Sequence, residues 1–326
     1  MLKSQPGFWA DLKRPIVALS PMDDVTDAAC RLLIARCGKP DVMLTEFVSV
    51  DGLCSAGRER LLKDLKFDES ERPIVAQLFG SDPGLFEQAA QLIAELGFDG
   101  IDINMGCPVK AVCKMGAGSS LIQTPELAVE IVQATIQGGC GLPVSVKTRI
   151  GYKKLETEEW ARHLLEANPA ALTFHLRTRK ELSQVPAHWE EMPKIVEQAK
   201  GTGVVILGNG DILSLEQAEQ VCEQYGCDGV MIGRGIFGNP WLFNRKRTVE
   251  TLSIDERLDT MLEHCRLYEE VFGDEKKFLV MRKHLMAYAS GFPGAKELRV
   301  ALETVFSYAD VMEVVNNFRQ RAGTFE

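Results

Sequence analysis

Eight short runs of apolar, often β-branched residues recur along the first three-quarters of the chain, and each ends in a polar or glycine-rich turn. They cover residues 16–22, 43–48, 74–80, 100–105, 143–150, 171–177, 204–208 and 229–233. The intervening segments have helical periodicity. Near-continuous apolar strands that alternate with amphipathic helices predict a parallel sheet covered by helices. Eight such units favour a closed (β/α)8 TIM barrel over an open, doubly wound sheet.

Helix boundaries support this alternation. Residues 83–96 follow the capping residues Ser81 and Asp82, begin with a proline and carry apolar side chains at helical spacing. The same pattern predicts helices from residue 124, over 157–167 and over 214–225.

The pattern changes after about residue 243, where strand-like runs end. Four helical stretches follow, at residues 254–272, 276–290, 296–308 and 311–321. A barrel alone needs only about 250 residues, and this chain has 326. We therefore expect a barrel domain at residues 1–245 and a small helical bundle at residues 246–326.

Composition and spacing exclude several classes of protein. No apolar run approaches the roughly 18–20 residues that span a bilayer, and the first residues lead into no apolar stretch, so we expect neither a membrane segment nor a secretion signal. The chain has nine cysteines, an odd number that argues against a disulfide framework and fits a reducing cytoplasm. Without CxxC or HExxH spacing, we expect no metal site.

Polar residues at strand ends are the candidates for chemistry, since barrel active sites lie at the carboxyl ends of the strands. Cys107 follows the fourth run in a loop that also contains Gly116 and Gly118. A cysteine there is well placed to act as an acid or nucleophile. Most other cysteines fit the role of small buried hydrophobes, and Cys113 is the nearest rival.

Basic residues end the fifth and sixth runs. Lys147 lies in an apolar strand, where a lysine is costly unless it meets an anion, although it can also extend to solvent at the barrel rim. His175 occupies a similar position and is followed by Arg177. Gln77, at the end of the third run, carries an amide able to read the edge of a ring.

Glycine-bearing turns end the last two runs, where this fold usually binds phosphate. Gly210 and Gly233 allow backbone N–H groups to approach an anion, and Arg234 can pair with phosphate bidentately. These features predict a phosphate-bearing ring cofactor across the barrel mouth. A flavin mononucleotide (FMN) enzyme and a sugar-phosphate enzyme both fit this prediction.

An ordered set of motifs carries a family resemblance over nearly the whole chain. The motifs are Ser20-Pro21-Met22-Asp23-Asp24-Val25-Thr26-Asp27, Ala76-Gln77-Leu78-Phe79-Gly80, Asn104-Met105-Gly106-Cys107-Pro108, Val146-Lys147-Thr148-Arg149, His175-Leu176-Arg177-Thr178-Arg179, Asn209-Gly210-Asp211-Ile212, Gly233-Arg234-Gly235 and Arg282-Lys283-His284-Leu285. With them the chain resembles the tRNA-dihydrouridine synthases of the flavin-dependent bacterial type. It departs from the family's usual residues at Leu176 and His188.

The resemblance implies a reaction and a set of roles. The reaction is reduction of the C5=C6 bond of specific uridines in tRNA, with D-loop uridines expected, by bound FMN and with NADPH as reductant. Flavin N5 would give a hydride to C6, and Cys107 would give a proton to C5. FMN would be held by Pro21, Met22, Gln77, Lys147, His175, Asn209, Gly210, Asp211, Gly233 and Arg234. Asn104, Arg149, Arg177, Arg282 and Lys283 would contact the substrate.

The net charge of −9 argues mildly against an RNA partner, so the local distribution of charge has to be considered. Residues 276–299 carry six basic residues and one acidic residue, a sum of +5. A helix pair that basic can bind phosphates, although scattered lysines more often mark a solvated face. We expect a monomer without a protein partner.

Three alternatives share parts of this pattern. An FMN oxidoreductase of a small pyrimidine-like molecule, similar to dihydroorotate dehydrogenases, would need no basic helical tail. A sugar-phosphate isomerase or lyase would be colourless, and an RNA-binding chaperone would form no dihydrouridine.

Overall fold

The computed structural model describes residues 1–322 and confirms the predicted barrel. Eight parallel strands follow one another around it: β1 (Ile16–Leu19), β2 (Met43–Ser49), β3 (Ile74–Phe79), β4 (Gly100–Met105), β5 (Val144–Arg149), β6 (Ala171–His175), β7 (Val205–Asn209) and β8 (Gly229–Ile232). The hydrogen-bonded order is β1-β8-β7-β6-β5-β4-β3-β2. A bridge between Ala18 and Val42 closes the sheet, and Leu19 N donates to Val42 O at 2.9 Å.

Helices connect the strands and cover the sheet. They are α1 (Ala28–Gly38), α2 (Val50–Leu53), α3 (Pro83–Glu95), α4 (Lys110–Lys114), α5 (Pro125–Gly138), α6 (Thr157–Glu166), α7 (Met192–Ala199) and α8 (Leu215–Tyr225). The Asp82 side chain accepts from Leu85 N at the start of α3, and Ser214 Oγ accepts from Gln217 N at the start of α8. These two caps, of which Asp82 is predicted from the sequence, fix where the helices begin.

The remaining helices form a bundle of four: α9 (Ile254–Phe272), α10 (Arg282–Tyr288), α11 (Ala295–Leu302) and α12 (Tyr308–Ala322). Their apolar core also takes in Ala28, Ala29 and Leu33 of α1. The bundle is thus built onto the outer face of the first barrel helix. Leu242 and Phe243 pack in the barrel core, just before the predicted boundary at 245/246.

Two predicted tail helices are shorter than expected. The segment 276–290 begins with a 3-10 turn at Phe278–Met281, and only α10 is α-helical. Lys276 Nζ lies 2.9 Å from Glu46 and 2.8 Å from Asp64, which ties the start of this segment to the barrel. The segment 296–308 ends at Leu302, and Arg282 donates to the Val305 carbonyl beyond that end.

No helix within the described part of the chain is long and apolar enough to cross a membrane.

Candidate functional site

A cavity of about 330 Å³ opens at the mouth of the barrel, where the strands end. The predicted barrel residues all line it: Pro21, Met22, Gln77, Asn104, Cys107, Lys147, Arg149, His175, Arg177, Asn209, Gly210, Asp211, Gly233 and Arg234. They lie between residues 21 and 234 of the chain, and the barrel brings them together. Arg282 and Lys283 do not line this cavity.

Asn104 shapes the loop that carries Cys107. Its side-chain oxygen accepts from Gly106 N at 3.1 Å and from Cys107 N at 2.9 Å. Gly118 packs against the same loop with φ +60°, and a Cβ there would lie 2.9 Å from the Cys107 carbonyl oxygen. Ser119 Oγ donates to that carbonyl at 2.9 Å. The position of Cys107 is therefore set by three neighbours and not by its own side chain.

The Cys107 thiol faces the cavity beside an apolar wall. Phe47 and Phe79, whose ring centroids are 5.1 Å apart, pack against it. Burial raises the pKa of Cys107 above the usual value for a thiol. The rival Cys113 does not line the cavity, and its sulfur faces Ser119 Oγ at 3.4 Å. At neutral pH, Cys107 is thus a protonated thiol next to the ligand space.

This environment predicts slow alkylation of Cys107. Iodoacetamide reacts with the thiolate, so the rate at Cys107, followed by peptide mass spectrometry, should rise with pH through a midpoint above that of a free cysteine peptide, whose thiol has a pKa of about 8.5. A midpoint at or below that of the free peptide would show that the thiol is activated as a nucleophile, and would contradict a role as acid.

A buried polar network inside the barrel holds Asn104, and through it the loop that carries Cys107. Asn104 Nδ2 donates to Gln77 Oε1 at 3.0 Å, and Gln77 Nε2 donates to Asp102 Oδ2 at 2.7 Å. Ser145 Oγ donates to Asp102 Oδ1 at 2.6 Å. Burial raises the pKa of Asp102 to about 6, although hydrogen bonds from Ser145 and Gln77 oppose the shift. Sequence reasoning missed Asp102 and Ser145, and an acid inside an apolar strand was the available signal.

Lys147 places a cation in the cavity wall. Its Nζ donates to Asn209 Oδ1 at 3.1 Å, and Asn209 Nδ2 donates to the Met231 carbonyl at 2.7 Å. Lys147 forms no ion pair with any residue in the range 1–322. Burial, aided by the charge of Arg149, lowers its pKa to about 8. A cation without a carboxylate partner is suited to an anionic or electron-rich ligand.

His175 lies among these cations and is neutral at pH 7. Burial lowers its pKa well below the usual value, and the charges of Arg149, Lys147, Arg177 and Arg234 add to the shift. Its Nε2 is 3.1 Å from a terminal nitrogen of Arg177. In the neutral state this nitrogen can accept a hydrogen bond from the guanidinium.

Asp211, in the turn after β7, connects two arginines that follow β6 and β8. Its carboxylate accepts from Arg177 and, through the other oxygen, from Arg234 at 2.7 Å. A carboxylate repels a phosphate, so the Asp211 side chain is suited to orienting the arginines and not to contacting the anion itself.

Arg149 ties two loops together. It donates to the carbonyl oxygens of Gly106 at 2.9 Å, Thr178 at 3.1 Å and Leu182 at 3.0 Å. Its pKa is lowered to about 10, first by burial and then by the charge of Arg177.

The residues that depart from the family pattern are accommodated in the loop after β6. Leu176 is fully buried in the barrel core. His188 lies between Glu181 at 3.2 Å and Glu190 at 3.0 Å. Trp189 Nε1 donates to the Gly210 carbonyl at 3.0 Å. The loop is therefore anchored to the turn after β7.

The two glycine turns at the cavity wall pack closely against neighbouring side chains. Gly210 has φ +137°, and a Cβ there would lie 2.7 Å from Ala187 Cβ. A Cβ at Gly233 would lie 3.3 Å from Met22 Sδ. With four cations around it (Lys147, Arg149, Arg177 and Arg234) against Asp23 and Asp211, the cavity fits an anionic ring cofactor.

The basic segment 276–299 is only partly available for a partner. Lys276 is neutralised by Glu46 and Asp64. Arg282 is bonded to the Val305 carbonyl and lies over the Phe306 ring at 4.8 Å. Lys283 is exposed. Burial raises the pKa of Asp23, which lines the cavity, and the charges of Lys276 and Lys283 oppose that shift. Lys283 therefore lies near the cavity.

Comparisons with known proteins show which family this chain resembles. Residues 17–323 match the family model described as dihydrouridine synthase (Dus). A probable tRNA-dihydrouridine synthase of Staphylococcus aureus is 42% identical over 317 residues, covering 96% of this chain and 95% of the relative. A probable tRNA-dihydrouridine synthase 2 of Bacillus subtilis is 42% identical over 322 residues, covering 97% of each.

A solved structure shares the fold alone. It is a variant of morphinone reductase in complex with tetrahydroNAD, with a TM-score of 0.52 and 14% identity, covering 71% of this chain and 85% of that one.

Proposed function

The chain belongs to the dihydrouridine synthase family, and we propose that it reduces uridines of tRNA to 5,6-dihydrouridine with FMN as bound cofactor and NADPH as reductant. The observation that carries the proposal is the protonated Cys107 thiol at the wall of a cation-lined cavity.

The cavity residues divide into those that hold the cofactor and those that hold the base. Lys147, neutral His175 and the amide of Gln77 would face the ring, while the turns at Gly210 and Gly233, with Arg234, would hold the phosphate. Met22 and Pro21 would close the other side. When bound, FMN supplies the hydride for C6 of uracil.

Cys107 would hold the proton for C5 at Sγ. Its raised pKa keeps the thiol protonated at neutral pH, which a general acid needs. Asn104 would fix the loop through its two backbone hydrogen bonds. Arg149 would hold the same loop through the Gly106 carbonyl, and Arg177 would lie at the entrance for the uridine.

The helical segment would serve as the RNA-binding domain at residues 246–326, beside a barrel domain at residues 1–245. Lys283 is near the cavity rim, which supports a path for the RNA backbone from the bundle to the mouth. A uridine of the D-loop would have to leave its stack to enter the cavity. We further propose that the chain acts in the cytoplasm, as a monomer.

The cofactor proposal is tested on purified protein. We expect a yellow protein whose heat-released cofactor is FMN and not FAD, because the cavity has one phosphate cradle and the chain lacks an early GxGxxG unit for a second nucleotide. Liquid chromatography of the released cofactor distinguishes the two. Colourless protein that takes up no added FMN would contradict the proposal.

The RNA surface is tested by charge reversal. Lys283→Glu should weaken tRNA binding and lower the slope of its salt dependence by about one, the loss of one phosphate contact, with unchanged flavin content. Lys200→Glu makes the same charge change at an exposed lysine after α7, at the opposite end of the barrel, and should bind tRNA normally. Equal tRNA affinity of both variants would place the RNA elsewhere. Arg282→Glu should weaken binding too, but it also breaks the bond to Val305.

A further inference from the structure

Three potential metal ligands meet where the bundle packs on the barrel, and none of them lines the cavity. Cys30 comes from α1, His264 from α9 and His284 from α10, and all three are buried. Their sulfur and ring-nitrogen ligand atoms lie within 4.8 Å of one another. We propose that this interface cluster (Cys30, His264 and His284) binds one zinc ion that fastens the helical bundle to the barrel.

Unsatisfied nitrogens distinguish this cluster from an ordinary polar core. His264 Nε2 and His284 Nε2 are both buried and have no hydrogen-bond partner among the described residues. Their rings are 4.6 Å apart at 65° to each other. A buried imidazole nitrogen without a partner is destabilising, because it has lost its hydrogen bond to water without gaining another. One ion bound by both nitrogens would remove that cost for both residues together.

The far side of each ring is supported as in metal sites. Tyr288 Oη is 3.3 Å from His264 Nδ1, and the His284 side chain forms a hydrogen bond with the backbone of Val25. A ligating histidine usually donates its other N–H to such a partner, which fixes the tautomer and the ring orientation. With Nδ1 protonated, each Nε2 lone pair is available to the ion.

The donor set favours zinc. One thiolate and two imidazoles are borderline-soft ligands, and three protein ligands occur in zinc sites that keep a fourth position open. Zinc–ligand bonds of about 2.0–2.3 Å place ligand atoms about 3.3–3.7 Å apart, so side-chain shifts of about 1 Å suffice.

Binding would convert the Cys30 thiol to a thiolate, with Zn–S and Zn–N bonds formed and one proton released to solvent. The resulting site would carry one positive charge. Asp27 Oδ1 accepts from Cys30 N at 2.9 Å, while Asp27 Oδ2 is buried without a partner in the described structure. This carboxylate supplies a negative charge beside the ion. Because the cluster is enclosed, the ion would be acquired during folding.

Metal analysis of the purified full chain is the test. Protein expressed with zinc, or refolded with zinc or cobalt chloride, should hold about one equivalent of metal per chain. The cobalt form should show a thiolate charge-transfer band. Wild-type protein that binds no stoichiometric metal, or cobalt protein without the thiolate band, would overturn the proposal even if every variant failed to fold.

Variants then locate the ion. Cys30→Ser should lose the metal, whereas Cys265→Ser, an equally buried thiol next to His264 but outside the cluster, should retain it. Tyr288→Phe should keep the ligands but weaken zinc affinity about 10–100-fold, as loss of a supporting hydrogen bond does. Undiminished metal content in Cys30→Ser would show that the ion is bound elsewhere and would overturn the proposal.

Discussion

Cys107→Ala should abolish most dihydrouridine formation and leave the bound flavin in place. The substitution removes the proton at Sγ, and general acid catalysis contributes about 10²–10⁴-fold, so the single-turnover rate on tRNA should fall by that factor. The residues proposed to hold the cofactor come from other strands, so flavin content and flavin reduction by NADPH should be close to those of the wild type. Stopped-flow absorbance and nucleoside mass spectrometry measure the two steps separately.

Cys113→Ala is the matched control. Cys113 lies on the same segment but faces Ser119 and not the cavity, so its removal should change the rate little. If Cys113→Ala were inactive and Cys107→Ala nearly normal, the assignment of the acid would be wrong while the family would stand.

Lys147→Met should separate cofactor binding from stability. Burial of the ammonium lowers the pKa of Lys147 to about 8, below its value in the unfolded chain. At neutral pH the charged lysine therefore disfavours the folded, cofactor-free protein, and this penalty fades as pH rises through the folded pKa. The methionine variant should lose FMN and dihydrouridine formation, yet its flavin-free form should melt no lower than the wild-type flavin-free form.

Lys153→Met, at an exposed lysine of the loop after β5, should retain both FMN and activity. Differential scanning calorimetry of the flavin-free proteins and FMN titration give the two readouts. Full FMN affinity in Lys147→Met would show that the cation does not face the cofactor.

Much of the barrel could be predicted because its signals are local. The runs that form β1 to β8 are mostly apolar, and caps such as Asp82 and Ser214 mark helix starts. The position of the cavity could be predicted in the same way, since residues at the carboxyl ends of parallel strands converge at one mouth of the barrel.

The features that were missed depend on contacts between distant segments. Lys276 counted as a free charge in the sequence, but Glu46 and Asp64 neutralise it across the interface. The interface cluster has no spacing motif because its ligands come from three separate helices. The role of Asp211 as a bridge between Arg177 and Arg234 requires their side-chain positions, which strand order alone does not give.

The central claim is that this chain forms dihydrouridine in tRNA. It is tested most directly by expressing the chain in a strain that lacks all of its own dihydrouridine synthases and digesting the purified tRNA for nucleoside mass spectrometry. The account predicts that dihydrouridine appears with the wild-type chain and is absent or strongly reduced with Cys107→Ala. Folded, flavin-containing wild-type protein in cells whose tRNA contains no dihydrouridine would contradict it.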